Sequence, residues 1–127
     1  MKNQAVMAVA FASTFAVATP ATAQDRSDWP SNFTVGTASQ GGTYFAYGSG
    51  WANFVAENLG VSGGAEITGG PVQNMALVHT GDLKFGLTTM GPARESMDGN
   101  SPLAPGMKMD NVCAMFPMYE TPFSVTA

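Results

Sequence analysis

Cysteine, histidine and basic side chains are nearly missing from this sequence. Cys113 is the only cysteine and His79 the only histidine in 127 residues, and lysine plus arginine total 5 against 9 acids. A single cysteine excludes an internal disulfide and a thiolate metal site. With one histidine and dispersed acids, no metal-ligand constellation or catalytic set can be assembled from neighbouring residues, and the sequence implies no metal and no cofactor. After Lys2, the cations are Arg26, Lys84, Arg94 and Lys108, and they form no cluster. The absence of a basic patch argues against nucleic acid and anionic membrane surfaces as partners.

Long apolar runs are also lacking. The longest, from Ala5 to Val17, falls short of the roughly 20 residues a membrane helix needs. It follows Met1-Lys2 and precedes Ala21-Thr22-Ala23, an A-x-A cleavage pattern. That order is the form of a secretory signal peptide over residues 1–23, with Gln24 as the mature N-terminus. Without disulfides, residues 24–127 must be held by an apolar core, and they stand near the low end of the size that can build one.

What the sequence does have is punctuation, with 15 glycines and 8 prolines. Residues 24–31 read as a polar tether, with Trp29 packing on the domain. Phe33–Gly36 reads as a first strand. Tyr44, Tyr47, Trp51, Phe54, Val55 and Leu59 then recur at helical spacing and predict an amphipathic helix stopped by Gly60, its aromatic stripe facing the core. Residues 61–64 read as a turn and Ala65–Thr68 as a second strand. Pro71 opens a second helix that runs to about Thr80, before Gly81-Asp82. Leu83–Thr88 reads as a third strand, and Pro92 sets a short helix over Ala93–Met97. Residues 98–110 are a loop, Asn111–Met118 a fourth strand and Phe123–Thr126 the start of a fifth. The alternation predicts an α/β fold with a mainly parallel sheet, all strand C-termini on one edge.

Three loops fall on that edge: Gln40-Gly41-Gly42-Thr43, Thr68-Gly69-Gly70-Pro71 and Thr89-Met90-Gly91-Pro92. Each joins a strand end to a helix start and offers hydroxyl or amide groups and a glycine. Helix N-termini carry unpaired N–H groups and favour negative charge. Any one such loop also fits an ordinary βα turn; the threefold recurrence points to a shared anion pocket at the strand ends. Gly36-x4-Gly41-Gly42-Thr43 matches P-loop spacing, but glycine stands where the phosphate-binding lysine must be, and G-x-G-x-x-G does not occur in the loop. Nucleotide chemistry is thereby disfavoured. Arg94 admits two readings, a partner for a ligand carboxylate or a salt bridge to Glu95 or Asp98. His79 reads as structural or solvated, and Cys113, in an apolar strand, as a buried inert thiol.

Phe33-Thr34-Val35-Gly36-Thr37, Gly41-Gly42-Thr43-Tyr44-Phe45, Thr68-Gly69-Gly70-Pro71-Val72-Gln73-Asn74-Met75 and Gly81-Asp82-Leu83-Lys84-Phe85-Gly86-Leu87, behind a signal peptide, resemble the TAXI family. These are the extracytoplasmic solute-binding proteins associated with TRAP transporters. The resemblance implies a type II periplasmic-binding-protein fold, with residues 24–127 as the N-terminal part of the first lobe and the second lobe absent. It also implies a periplasmic location, no enzymatic activity, a TRAP membrane subunit as partner, and a small organic anion such as glutamate or a dicarboxylate as ligand. By matching position, Ser39, Gly42, Thr43 and Tyr44 of the first loop and Thr68 and Gly70 of the second would line the cleft. Thr89 of the third loop joins them on the loop reading. Two alternatives stay open: an exported α/β enzyme with its catalytic residues further along, and a binding protein of an ABC-type importer.

Overall fold

The computed structural model describes residues 25–120. The expected signal peptide, residues 1–23, and the strand expected at Phe123–Thr126 lie outside them. The chain runs β1 (Asn32–Gly36), α1 (Thr43–Leu59), β2 (Ser62–Glu66), α2 (Pro71–Thr80), β3 (Phe85–Gly86) and α3 (Met90–Asp98). The three strands form one parallel sheet in the order β2-β1-β3. This is an α/β architecture with a parallel sheet, as the alternation of elements predicts.

The first crossover moves from β1 to β2, and the second returns past β1 to β3. Crossovers of one hand in opposite directions place α1 and α2 on opposite faces of the sheet. The side chains agree. Phe33 and Val35 are buried with Ala52 of α1, and Trp51, Val55, Phe85 and Leu87 pack around them. The rings of Phe33, Trp51 and Phe85 meet edge to face at 5.3–5.8 Å, a favoured aromatic geometry. Residues of the other parity, Gly36 and Gly86, face Asn74 and Val78 of α2.

The helix stops follow the glycines. Gly60 and Gly81 are left-handed (φ 69° and 83°), and each returns its N–H to the helix, to Ala56 and Val78 respectively. A side chain at such φ is strained, so glycine is the low-cost residue there.

Several expectations need correction. The second strand begins at Ser62, so Gly63 and Gly64 are strand residues rather than a turn. The reason is close packing: a Cβ on Gly63 would lie 2.6 Å from Phe33 Cζ and 2.7 Å from the Ala52 carbonyl. Glycine here permits close approach of strand and helix. The third strand is shorter than Leu83–Thr88 because the Leu83 N–H bonds to Leu77 O instead of to the sheet. The third helix starts at Met90, which places Pro92 inside its first turn, where a missing N–H costs no hydrogen bond.

Residues 111–118 form no strand. They lie across a cavity from β3, so no ladder bonds form, and the segment is anchored by side chains instead. Phe116 packs on Trp51, and Tyr119 packs on Tyr44 and Tyr47. Cys113 is accordingly exposed, not buried. The aromatic stripe of α1 is only partly core, since Phe54 is 65% exposed. Trp29 is also exposed, and the Arg26 guanidinium stacks 5.0 Å from its ring centre.

Candidate functional site

The strand registers bring Gly36 level with Glu66 and with Gly86. The three strands therefore end flush, and the loops 37–42, 67–70 and 87–89 leave from one edge. They also touch one another. Gly70 stands against the Ala38 side chain, and Tyr44 sits beside Thr89.

Each loop delivers a helix N-terminus. The N-caps are Gly42 for α1, Gly70 for α2 and Thr89 for α3, and none makes a side-chain capping bond. None of the three first turns carries an acid. Pro71 and Pro92 each remove one donor. The N–H groups of Thr43, Tyr44 and Phe45, of Val72 and Gln73, and of Met90 and Gly91 have no intrahelical acceptor. Three positive dipole ends thus meet at one edge with no carboxylate in their own first turns.

The expected site residues divide into two groups. Ser39 is exposed, and its carbonyl accepts the Gly42 N–H at 3.1 Å, which closes the first loop. Gly41 in that loop is left-handed, φ 84°. Thr43 is exposed at the first position of α1, and Tyr44 is half-buried beside it. The Tyr44 hydroxyl is sealed from solvent and stands beside the Thr89 side chain without forming a well-aligned hydrogen bond to it. Burial pushes it above the usual phenol range; Tyr119 adds to the rise and Thr89 opposes it. A buried unpaired hydroxyl is costly and is usually explained by a partner such as a ligand or water. A cavity of about 830 Å³ opens beside it, lined by Tyr44, Trp51, Thr89, Met90, Met115 and Tyr119 among others.

Thr68 and Gly70 are turned inward, into a framework that the sequence did not announce. Its centre is Asn74, which is 1% exposed. The Asn74 Nδ2 donates to Thr37 O and to Leu87 O, both at 2.7 Å, and lies 3.1 Å from Gly36 O. Gly36 O already accepts the Leu87 N–H at 2.9 Å, so the two amide hydrogens go to the other two carbonyls. The Thr68 hydroxyl donates to Asn74 Oδ1 at 2.6 Å, and the Gly70 N–H donates to that hydroxyl at 3.1 Å. Reversing the amide would aim its oxygen at three carbonyls, so the partners fix its orientation. One side chain is thus bonded to the ends of all three strands. Thr37, fully buried, adds a second tie through its hydroxyl to Glu66 O at 2.6 Å.

Two glycines make room for this side chain. A Cβ on Gly36 would lie 2.6 Å from Asn74 Oδ1, and one on Gly86 would lie 3.0 Å from Asn74 Cβ. The pairing of Gly36 with Gly86 across β1 and β3 is the sequence signal that could have located the hub. A further cue is Asn74 itself, since asparagine is a poor residue inside a helix unless its amide has a task.

Arg94 resolves to its structural reading. Its Nε lies 2.5 Å from Asp98 Oδ2, one helical turn along, and both side chains face solvent. His79, at the end of α2, bonds through Nδ1 to the Asn111 amide oxygen, and Asn111 Nδ2 returns to His79 O at 3.0 Å. That clasp secures the start of the segment that carries Tyr119 to Tyr44.

The sequence model of the NMT1-like family matches residues 35–127. The chain belongs to the NMT1-like family. This is a family of periplasmic solute-binding proteins, not of enzymes. No curated protein and no solved structure gives a match. A binding role for a solute, with a transporter as partner, follows from the family. Membership also agrees with the geometry, in which the unpaired N–H groups of three helix starts stand at one sheet edge.

Proposed function

We propose that the protein is the solute-binding subunit of a TRAP-type secondary transporter, of the TAXI kind, working in the periplasm after export by residues 1–23. Residues 24–127 form the N-terminal part of its first lobe. The solute is a small organic anion, an amino acid such as glutamate or a dicarboxylate. It is held by neutral donors: N–H groups at the starts of α1, α2 and α3, the hydroxyls of Ser39, Thr43 and Thr89, and Tyr44 Oη. Gly42 lets the ligand approach the backbone. Thr68 and Gly70 contribute by shaping the second loop.

The observation that carries this reading is the meeting of three uncapped helix N-termini, free of acids in their first turns, at one sheet edge. Such ends are suited to carboxylates, because N–H groups and helix dipoles act together there. With Arg94 paired to Asp98, no cation is needed in the account.

Calorimetric titration of the full-length protein with amino acids and mono- and dicarboxylates tests it. Saturable binding of at least one organic anion is expected. Silence across the panel, with tight binding of a nucleotide or neutral sugar instead, overturns the reading. The transporter class is tested separately: a fused TRAP membrane subunit encoded beside this chain supports the assignment, and an ATPase subunit there contradicts it.

A further inference from the structure

Asn74 is almost fully buried, and no other side chain among the described residues bonds to the ends of all three strands. Its bonds reach Thr37 at the end of β1, Thr68 beyond β2 and Leu87 beyond β3. Each of these residues lies in the first two positions of one of the loops that carry the N-caps Gly42, Gly70 and Thr89. The ladder joins β1 to β2 over five positions, but β3 has two residues and pairs with β1 over two positions only. The third loop is therefore held to the other two largely beyond the ladder, by side-chain hydrogen bonds.

We propose that Asn74 is a positioning residue: through its amide the three loops keep one spacing and move as a unit, so that the donors at α1, α2 and α3 reach a ligand together. A network of this kind holds position strongly because every buried member is satisfied only by the others. Thr68 is the relay to the second loop, since its hydroxyl both donates to Asn74 and accepts from Gly70. The ligand half of this inference rests on the capture reading above; the loop half does not.

Native-state amide hydrogen exchange on the full-length protein tests the loop half. Asn74→Ala is compared with Val35→Ala, which weakens the opposite face of the sheet. Asn74→Ala is expected to speed exchange at 38–45, 69–73 and 88–91 by at least about tenfold relative to the α1 interior, 50–58, as local opening separates from global unfolding. Val35→Ala is expected to move loops and α1 alike. If Asn74→Ala also moves both alike, or frees one loop only, the proposal fails. Thr68→Val provides a second route should Asn74→Ala not fold: the second loop alone is then expected to loosen, and unchanged exchange there contradicts the relay.

Asn74→Asp supplies a readout that a purely structural role would not give. The new carboxyl would face carbonyl oxygens, which disfavours its charged form and raises its folded pKa. The stability and loop order of this variant are present when the group is neutral and are lost as pH rises through that pKa. Its loops should therefore be closer to wild type at pH 5 than at pH 8; a flat profile overturns the assignment. If the wild type binds a carboxylate, Asn74→Ala is expected to weaken it at least about tenfold with the fold retained, and unchanged affinity contradicts positioning. If the wild type binds none, the capture reading falls and the exchange experiment alone decides the role of Asn74.

Discussion

On the α1 face of the sheet, Phe33, Val35 and Phe85 meet Trp51 and Ala52, and apolar burial holds the strands. On the α2 face, Gly36 and Gly86 clear space for Asn74, and hydrogen bonds hold the strand ends. Burial is non-directional and scales with area, so it makes the fold stable without fixing where a loop points. Hydrogen bonds are directional and individually modest, so they place loops without supplying most of the stability. The comparison predicts that damage to one face changes how stable the protein is, and damage to the other changes where its loops sit.

The largest expected effect is on the apolar face. Phe33→Ala removes a ring packed on Trp51 and Phe85, and about 3–5 kcal/mol of stability should be lost in urea unfolding, as for other buried Phe→Ala changes. Loop exchange relative to α1 should not change; if it does, the two faces are not separable. Next is Gly36→Ala, whose Cβ would lie 2.6 Å from both Asn74 Oδ1 and Leu83 Cδ1. An overpacking cost of about 1–3 kcal/mol is expected, together with loosened loops. A stability loss in the same urea assay without loop loosening would show that the Asn74 amide does not transmit the clash.

A smaller effect lies at Tyr44. Its folded pKa is raised by burial, so the folded state resists its ionisation. Any stability linked to this hydroxyl is present below the ordinary phenol pKa and is lost as pH rises through the folded value. Tyr44→Phe should soften the alkaline end of the stability profile and leave neutral pH nearly untouched. Under the capture reading it should also weaken anion binding. Equal alkaline unfolding of variant and wild type would remove Tyr44 from the account. The smallest effect is Arg94→Ala. The Arg94–Asp98 pair is solvent-facing, and such pairs contribute little. No measurable change in melting or anion affinity is expected, and a large loss of affinity would return Arg94 to the site.

The sequence shows the apolar face more plainly than the polar one. Helical spacing from Tyr44 to Leu59, with Gly60 after it, delimits α1 correctly, and Pro71 and Gly81 bracket α2. Periodicity is an area signal, so it reports burial well. It fails where one residue type serves two ends. Gly63 and Gly64 read as a turn but allow strand–helix contact at Phe33 and Ala52. Val112 to Phe116 read as a strand from composition, yet strand formation needs a hydrogen-bonding neighbour and the segment lies across a cavity from β3. The loops of the candidate site were legible because glycine and a hydroxyl recur three times at strand ends, twice with a proline. The task of Asn74 was not, since it depends on carbonyls 13 to 38 residues away.

The central claim is that three helix N-termini at one sheet edge capture a small organic anion together. A backbone-amide NMR titration of the full-length protein with glutamate and with dicarboxylates tests it most directly. The account predicts that one of these anions shifts the amides of Thr43–Phe45, Val72–Gln73 and Met90–Gly91 in concert, along one saturation curve. Saturable shifts confined to another surface, or in only one of the three turns, would contradict it.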